Sequence, residues 1–108
     1  MKNIAIFVSG GGSNFKSIHH HIQLGEIAGR IVLTVSNNAD SGSIKYAREN
    51  KIPSLIINKV RHLNLVAQEE FLIQSLVKNE VDLICLAGYM KLLPKRIVHQ
   101  YQNRILNI

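Results

Sequence analysis

The chain has one cysteine, no tryptophan and two prolines in 108 residues. A lone cysteine rules out an internal disulfide, and Cys85 lies in the run Leu83, Ile84, Cys85, Leu86, where it reads as a buried strand residue and not a reactive thiol. Long apolar runs are missing too. None approaches the roughly 20 residues needed to cross a bilayer, and Lys2 leads straight into a strand pattern with no small-residue cleavage site. These absences argue against a membrane protein or a secreted one, and a cytoplasmic protein is expected. Acidic residues are also scarce, with 7 Asp and Glu against 13 Lys and Arg and a net charge of +6. The basic residues are scattered over every expected helix and loop, and aromatics make up only 6% of the chain. A nucleic-acid face needs clustered charge with aromatic interleaving, so a solvated basic surface is the better reading and no nucleic-acid partner is expected. There is no internal repeat or low-complexity segment, and the length suits one domain with one core.

Glycine is what the sequence concentrates. The apolar run Ile4, Ala5, Ile6, Phe7, Val8 passes directly into Ser9, Gly10, Gly11, Gly12, Ser13, Asn14, and then Phe15, Ile18 and Ile22 recur at helical spacing. A buried strand, a glycine turn and a helix start are predicted. Glycines there allow positive φ and close approach of a ligand, while the first N–H groups of a helix are unpaired and lie at the positive end of its dipole. That combination is an anion site, best suited to a phosphate, with Ser13 expected at the N-cap. Two familiar phosphate loops fit less well. A dinucleotide fingerprint requires glycine where Phe15 stands and an acidic residue where Ser36, Asn37 and Asn38 stand, and a P-loop requires Lys after Gly12.

Further along, Arg30 to Val35 reads as a second strand, followed by the turn Ser36, Asn37, Asn38, Ala39, Asp40. A helix from Ser41 or Gly42 to Asn50 leads through Pro53 to a short strand, Ser54 to Ile57. A long amphipathic helix with Leu65, Glu69, Leu72 and Leu76 on or beside one stripe runs to about Asn79, and Val81 to Ala87 is a buried strand. Gly88, Tyr89 and Met90 open a loop. Pro94 suits the first turn of a short helix through Ile97, Val98 and Tyr101, ahead of a last strand at Ile105. Apolar strands alternating with helices predict an α/β protein with a doubly wound, mostly parallel sheet of Rossmann-like strand–helix alternation. In such a sheet ligands lie outside the carboxyl ends of the strands, so Ser9 to Asn14, Ser36 to Asp40, Ala87 to Leu93 and Asn107 are expected to face one crevice. His19, His20 and His21 are consecutive in a helix, spread over wide angles, and read as helix surface; no metal site is expected.

Assembled, these motifs resemble the phosphoribosylglycinamide formyltransferase family, folate-dependent enzymes of purine biosynthesis. The family pattern I-S-G-x-G-S-N is matched by Val8 to Asn14, S-N-x-x-A/D by Ser36 to Asp40, and L-A-G-F/Y-M-R/K by Leu86 to Lys91. Of the closing pattern L-N-I-H-P-S-L-L-P, Leu106, Asn107 and Ile108 are present. The resemblance implies the formyltransferase fold and transfer of a formyl group from 10-formyltetrahydrofolate, as co-substrate, to the amine of glycinamide ribonucleotide. It assigns the ribonucleotide phosphate to Gly11, Gly12, Ser13 and Asn14, and places Gly88 and Met90 beside the glycinamide. It assigns the folate to Leu86, Met90, Lys91, Leu93, Ile97, Val98 and Ile105, with Lys91 standing where arginine is commoner. Asn107 matches the family's catalytic asparagine, a donor to the formyl oxygen as charge builds there.

The last segment, Arg104 to Ile108, reads as a strand with no cap or polar tail, so the 108 residues are expected to be the amino-terminal half of a longer formyltransferase domain. The resemblance places the catalytic histidine immediately after Ile108 and the catalytic aspartate later still, and none of His19, His20, His21, His62 or His99 replaces that histidine on motif grounds. A chain ending at Ile108 is therefore expected to be catalytically silent, with apolar surface that leaves self-association open. Two other readings use fewer of the motifs: a non-catalytic phosphate- or nucleotide-binding α/β module, and a regulatory or structural fragment that retains the sheet and binds a protein partner. Continuation of the reading frame as His-Pro-Ser would separate the enzyme from both.

Overall fold

The computed structural model describes residues 1–58 and 64–108. Strands and helices alternate along them: β1 (Lys2–Phe7), α1 (Ser13–Gln23), β2 (Gly29–Ser36), α2 (Gly42–Glu49), β3 (Ser54–Ile56), α3 (Leu65–Lys78), β4 (Leu83–Leu86), α4 (Lys95–Gln100) and β5 (Ile105–Asn107). The strands form one five-stranded sheet in the order β3-β2-β1-β4-β5, parallel at every pairing. This is the doubly wound α/β arrangement expected from the alternation. The chain runs outward from β1 to β3 on one side, then returns past β1 to place β4 and β5 on the other. The order therefore reverses between β1 and β4, and ligands enter open parallel sheets at such a reversal.

The apolar residues of the strands divide by parity because successive side chains point to opposite faces. Ala5 and Phe7 of β1, with Leu33, Val35 and Ile84, pack against Leu72, Ile73 and Leu76 of α3 and Ile97 of α4. Ile4, Ile6 and Val8, with Ile31 and Cys85, pack against Phe15 of α1 and Ala47 of α2. Both faces of β1 are covered, which is why its sequence is a continuous apolar run and not an alternation. The register with β2 shifts between Ile4 and Ala5, which pair with Ile31 and Leu33, so Val32 is the extra residue of a bulge.

Two local expectations are corrected. Leu65 is 74% exposed, and the buried residues of α3 are Leu72, Ile73 and Leu76. The first turns of α3 overhang the core, so the apolar stripe holds only over the second half of the helix. Pro94 takes the cap position before α4, with φ −56° and ψ 142°, one residue ahead of the first turn. No helix among the described residues is long and apolar enough to cross a membrane.

Candidate functional site

Parallel strands bring all their carboxyl ends to one rim of the sheet. There the β1 ladder continues past Phe7, with Val8 N–H donating to Val35 O at 2.9 Å and Ala87 N–H donating to Phe7 O at 2.8 Å. The chain then turns through Ser9 to Gly12 into α1. Gly12, not Ser13, is the N-cap, with φ 77° and ψ 39°, and Ser13 is already the first helical residue. A left-handed residue makes this turn, and no side chain caps the helix. The contrast with its neighbours is chemical. Ser41 accepts from Ile44 N–H at the start of α2 and Asn64 accepts from Ala67 N–H at 2.8 Å at the start of α3, so those helices satisfy a first-turn donor internally. α1 does not, and Ser13 and Asn14 are exposed.

The glycines have different reasons for being glycine. At Gly12 a Cβ would collide with Ser43 Oγ in addition to suffering the positive φ, so the fold itself requires glycine. At Gly10 and Gly11 a Cβ would meet nothing within 4 Å, and neither residue lies in the left-handed region. The fold places no protein atom in that space, which leaves room for a ligand to approach the backbone. The loop is braced by the start of α2. Buried Ser43 donates both its hydroxyl and its N–H to Gly10 O, and Gly42 packs so close that its Cβ would lie 3.4 Å from Gly11 Cα.

Ser9, which the sequence offers as the first residue of the glycine stretch but without a role of its own, ties the rim together. Its hydroxyl donates to Asn37 Oδ1 at 2.6 Å and accepts from Met90 N–H at 2.8 Å. Asn37 is in turn held through its carbonyl, which accepts from Asn58 Nδ2 at 3.0 Å. The three loops after β1, β2 and β4 are thus brought together as expected. The fourth segment joins them through β5, where Asn107 pairs with Leu86 and Ile108 N–H donates to Leu86 O at 3.0 Å.

Along this rim Gly88 turns with φ 73°, Met90 is 80% exposed and Lys91 is exposed. Leu86, Leu93 and Ile105 are partly buried against the core face beneath α3 and α4. Ile97 has no exposed surface and belongs to that core. Val98, 47% exposed, opens on a shallow groove with Lys95, His99 and Gln102. Tyr89 packs edge-on against Phe7 at 5.4 Å between ring centroids, and burial pushes its phenol up from the ordinary value. Cys85 is buried as expected and burial raises its thiol in the same way, against a reactive role. Of the histidines, His19 bonds Tyr46 Oη at 2.6 Å and His21 bonds Glu26 at 2.9 Å along α1, His99 is on α4, and His62 lies outside the described residues. Among the described residues no group of three His, Cys, Asp or Glu is gathered for a metal ion.

Comparison with known proteins gives the family and the fold. The formyl transferase family pattern matches residues 2–108. The chain is 44% identical over 108 residues to the chloroplastic phosphoribosylglycinamide formyltransferase of Arabidopsis thaliana, covering 99% of this chain and 37% of that one. It is 33% identical to the phosphoribosylglycinamide formyltransferase of Haemophilus influenzae, covering all of this chain and 51% of that one. In structure it is similar to glycinamide ribonucleotide transformylase 1 from Geobacillus kaustophilus, with a TM-score of 0.93 and 29% identity over 99% of this chain and 57% of that one. The chain therefore spans between about a third and about half of the length of these curated relatives.

Proposed function

The chain belongs to the formyl transferase family, and from that premise we propose that it carries the ribonucleotide-binding and part of the folate-binding side of an enzyme that formylates glycinamide ribonucleotide. One observation carries the reading. The glycine loop leaves Gly10 and Gly11 open beside an uncapped helix start, and Ser9 ties that loop to the loop of Gly88 and Met90. A phosphate at Gly11, Gly12, Ser13 and Asn14 is met by backbone N–H groups and the positive end of α1. The ribonucleotide amine then extends toward Gly88 and Met90.

The formyl donor, 10-formyltetrahydrofolate, lies along Leu86, Met90, Lys91, Leu93 and Ile105. Ile97 backs that edge from the core and Val98 stands at its periphery. The amine nitrogen attacks the formyl carbon, and the carbonyl π pair moves to oxygen. Collapse of the tetrahedral species restores the carbonyl and breaks the bond to the folate nitrogen, which takes a proton as the amine loses one. Asn107, exposed at the end of β5 beside Leu86, donates to the oxygen where charge develops. Tyr89 is a phenol that burial raises further above neutral pH, and it is no base for the amine. The lone buried thiol suits a reducing compartment, and the cytoplasm is the compartment proposed.

The test is formyl transfer by the full-length protein given glycinamide ribonucleotide and 10-formyltetrahydrofolate. Asn107→Ala is expected to lower kcat by about 10²- to 10³-fold with little change in substrate affinity. A variant within about threefold of the parent's kcat, roughly 0.7 kcal/mol, would remove Asn107 from the mechanism. Ribonucleotide binding without any formyl transfer would favour the non-catalytic module.

A further inference from the structure

The hydroxyl of Ser9 has one proton and two lone pairs, and its geometry assigns them. The proton goes to Asn37 Oδ1 at 2.6 Å, and a lone pair receives Met90 N–H at 2.8 Å. Ser9 and Met90 are 81 residues apart and Ser9 and Asn37 are 28 apart, so this single side chain closes two long-range contacts between loops that have no regular ladder there. Ser9 is half-buried and immediately precedes Gly10, whose carbonyl is gripped by Ser43 from α2. The glycine loop is therefore fixed at Gly10 by α2 and linked at Ser9 to the loop of Met90.

We propose that Ser9 is a positioning residue that couples occupancy of the glycine loop to the conformation of the Met90 loop, so that an anion at Ser13 and Asn14 sets the backbone on the other side of the crevice. This rests on the phosphate-loop reading above. An anion drawing on the N–H groups of Gly11 to Asn14 shifts the loop about the fixed Gly10 carbonyl, and the Ser9 hydroxyl carries that shift to Met90 N–H, 2.8 Å away, and to Asn37. Without the hydroxyl, Met90 N–H and Asn37 Oδ1 each lose their partner. Met90 is exposed and turns to water, so the link is lost while the fold stands.

The experiment is a titration of the isotope-labelled protein with inorganic phosphate, following backbone amide resonances in the parent, Ser9→Ala and Ser9→Thr. In the parent, Ser13, Asn14 and Met90 are expected to move with one dissociation constant. In Ser9→Ala, Ser13 and Asn14 still move and Met90 falls silent, and Ser9→Thr, which keeps a hydroxyl, restores the Met90 response. Asn37→Ala keeps Met90 responsive, since the bond to Met90 survives it. A Met90 response equal in the parent and Ser9→Ala overturns the coupling and leaves the phosphate loop standing. Motion of Ser13 and Asn14 with a silent Met90 in the parent overturns it also. Silence at Ser13 and Asn14 in the parent sinks the phosphate-loop reading itself, and the coupling falls with it.

Discussion

The two rims of the parallel sheet use their polar groups in opposite ways. At the amino-terminal rim every polar group of Asn3 has a partner: its N–H donates to Asp82 Oδ2 at 2.9 Å, and its carbonyl accepts from Asp82 N–H at 2.8 Å. Its carboxamide donates to Glu80 O at 3.0 Å and accepts from Arg30 Nη2 at 3.2 Å. These bonds join β1 to β2 and to the approach of β4, and both ends of the carboxamide are engaged. At the carboxyl rim the long-range bonds of Ser9 and Ser43 brace loop backbone, while Gly10, Gly11, Ser13 and Asn14 stay exposed and α1 has no side-chain cap. A rim whose polar groups satisfy one another is a joint. A rim braced internally, with its loop backbone and helix start left exposed, is the binding edge proposed above.

The largest way to break this contrast is at Gly12. Gly12→Val adds a β-branched side chain at φ 77° against Ser43 and is expected to destabilise the fold by more than about 2 kcal/mol, read from urea unfolding. Unchanged stability would mean that the loop does not rest on α2 as described. At the other rim, Asn3→Ala is expected to cost about 0.5–1.5 kcal/mol in the same assay, because its bonds are at exposed sites. A loss beyond about 3 kcal/mol would make that rim more than a joint.

A smaller effect follows pH. Burial raises Cys85 and Tyr89, so above the ordinary thiol value of about 8.5 the native state holds protons that the unfolded chain has released. Their contribution to stability is therefore complete below that pH and is lost as pH rises through the raised native values. The urea midpoint should be level from pH 7 to 8 and decline above 8.5, less steeply in Tyr89→Phe. A midpoint that holds or rises would contradict the burial of both groups. The smallest effect is at Arg96, paired with Glu70 at 2.7 Å and more distantly with Glu69, all on the surface of α3 and α4 and away from both rims. Arg96→Gln should leave the melting temperature and ligand binding unchanged, although Glu70 holds its carboxyl below the usual range because of that guanidinium.

Much of this architecture could be read from periodicity. The apolar runs around Ile6, Val35 and Ile84 mark parallel strands buried on both faces, and the glycines after Val8 mark the turn from β1 into α1. Less legible were features that depend on contacts between distant segments. Ser9 stands in the motif, yet its partners Asn37 and Met90 come from other loops, and nothing local distinguishes a strand-end serine that braces from one that is solvated. Ser13 looked like the cap because serine is a good one, but the left-handed Gly12 makes the turn itself, a choice enforced by Ser43 31 residues away. Leu65 fitted a helical stripe, and only the extent of the core decided that its turn overhangs.

The difference between the rims is tested most directly by calorimetry of glycinamide ribonucleotide binding to the full-length protein, its Gly11→Ala variant and its Asn3→Ala variant. A methyl at Gly11 meets no protein atom within 4 Å and should leave the fold as stable or slightly more so, while intruding on a bound phosphate. The account predicts that Gly11→Ala weakens binding at least about tenfold, roughly 1.4 kcal/mol, and that Asn3→Ala, though less stable, binds as the parent does. Equal affinity in Gly11→Ala and the parent, or a loss in Asn3→Ala as large as in Gly11→Ala, would contradict it.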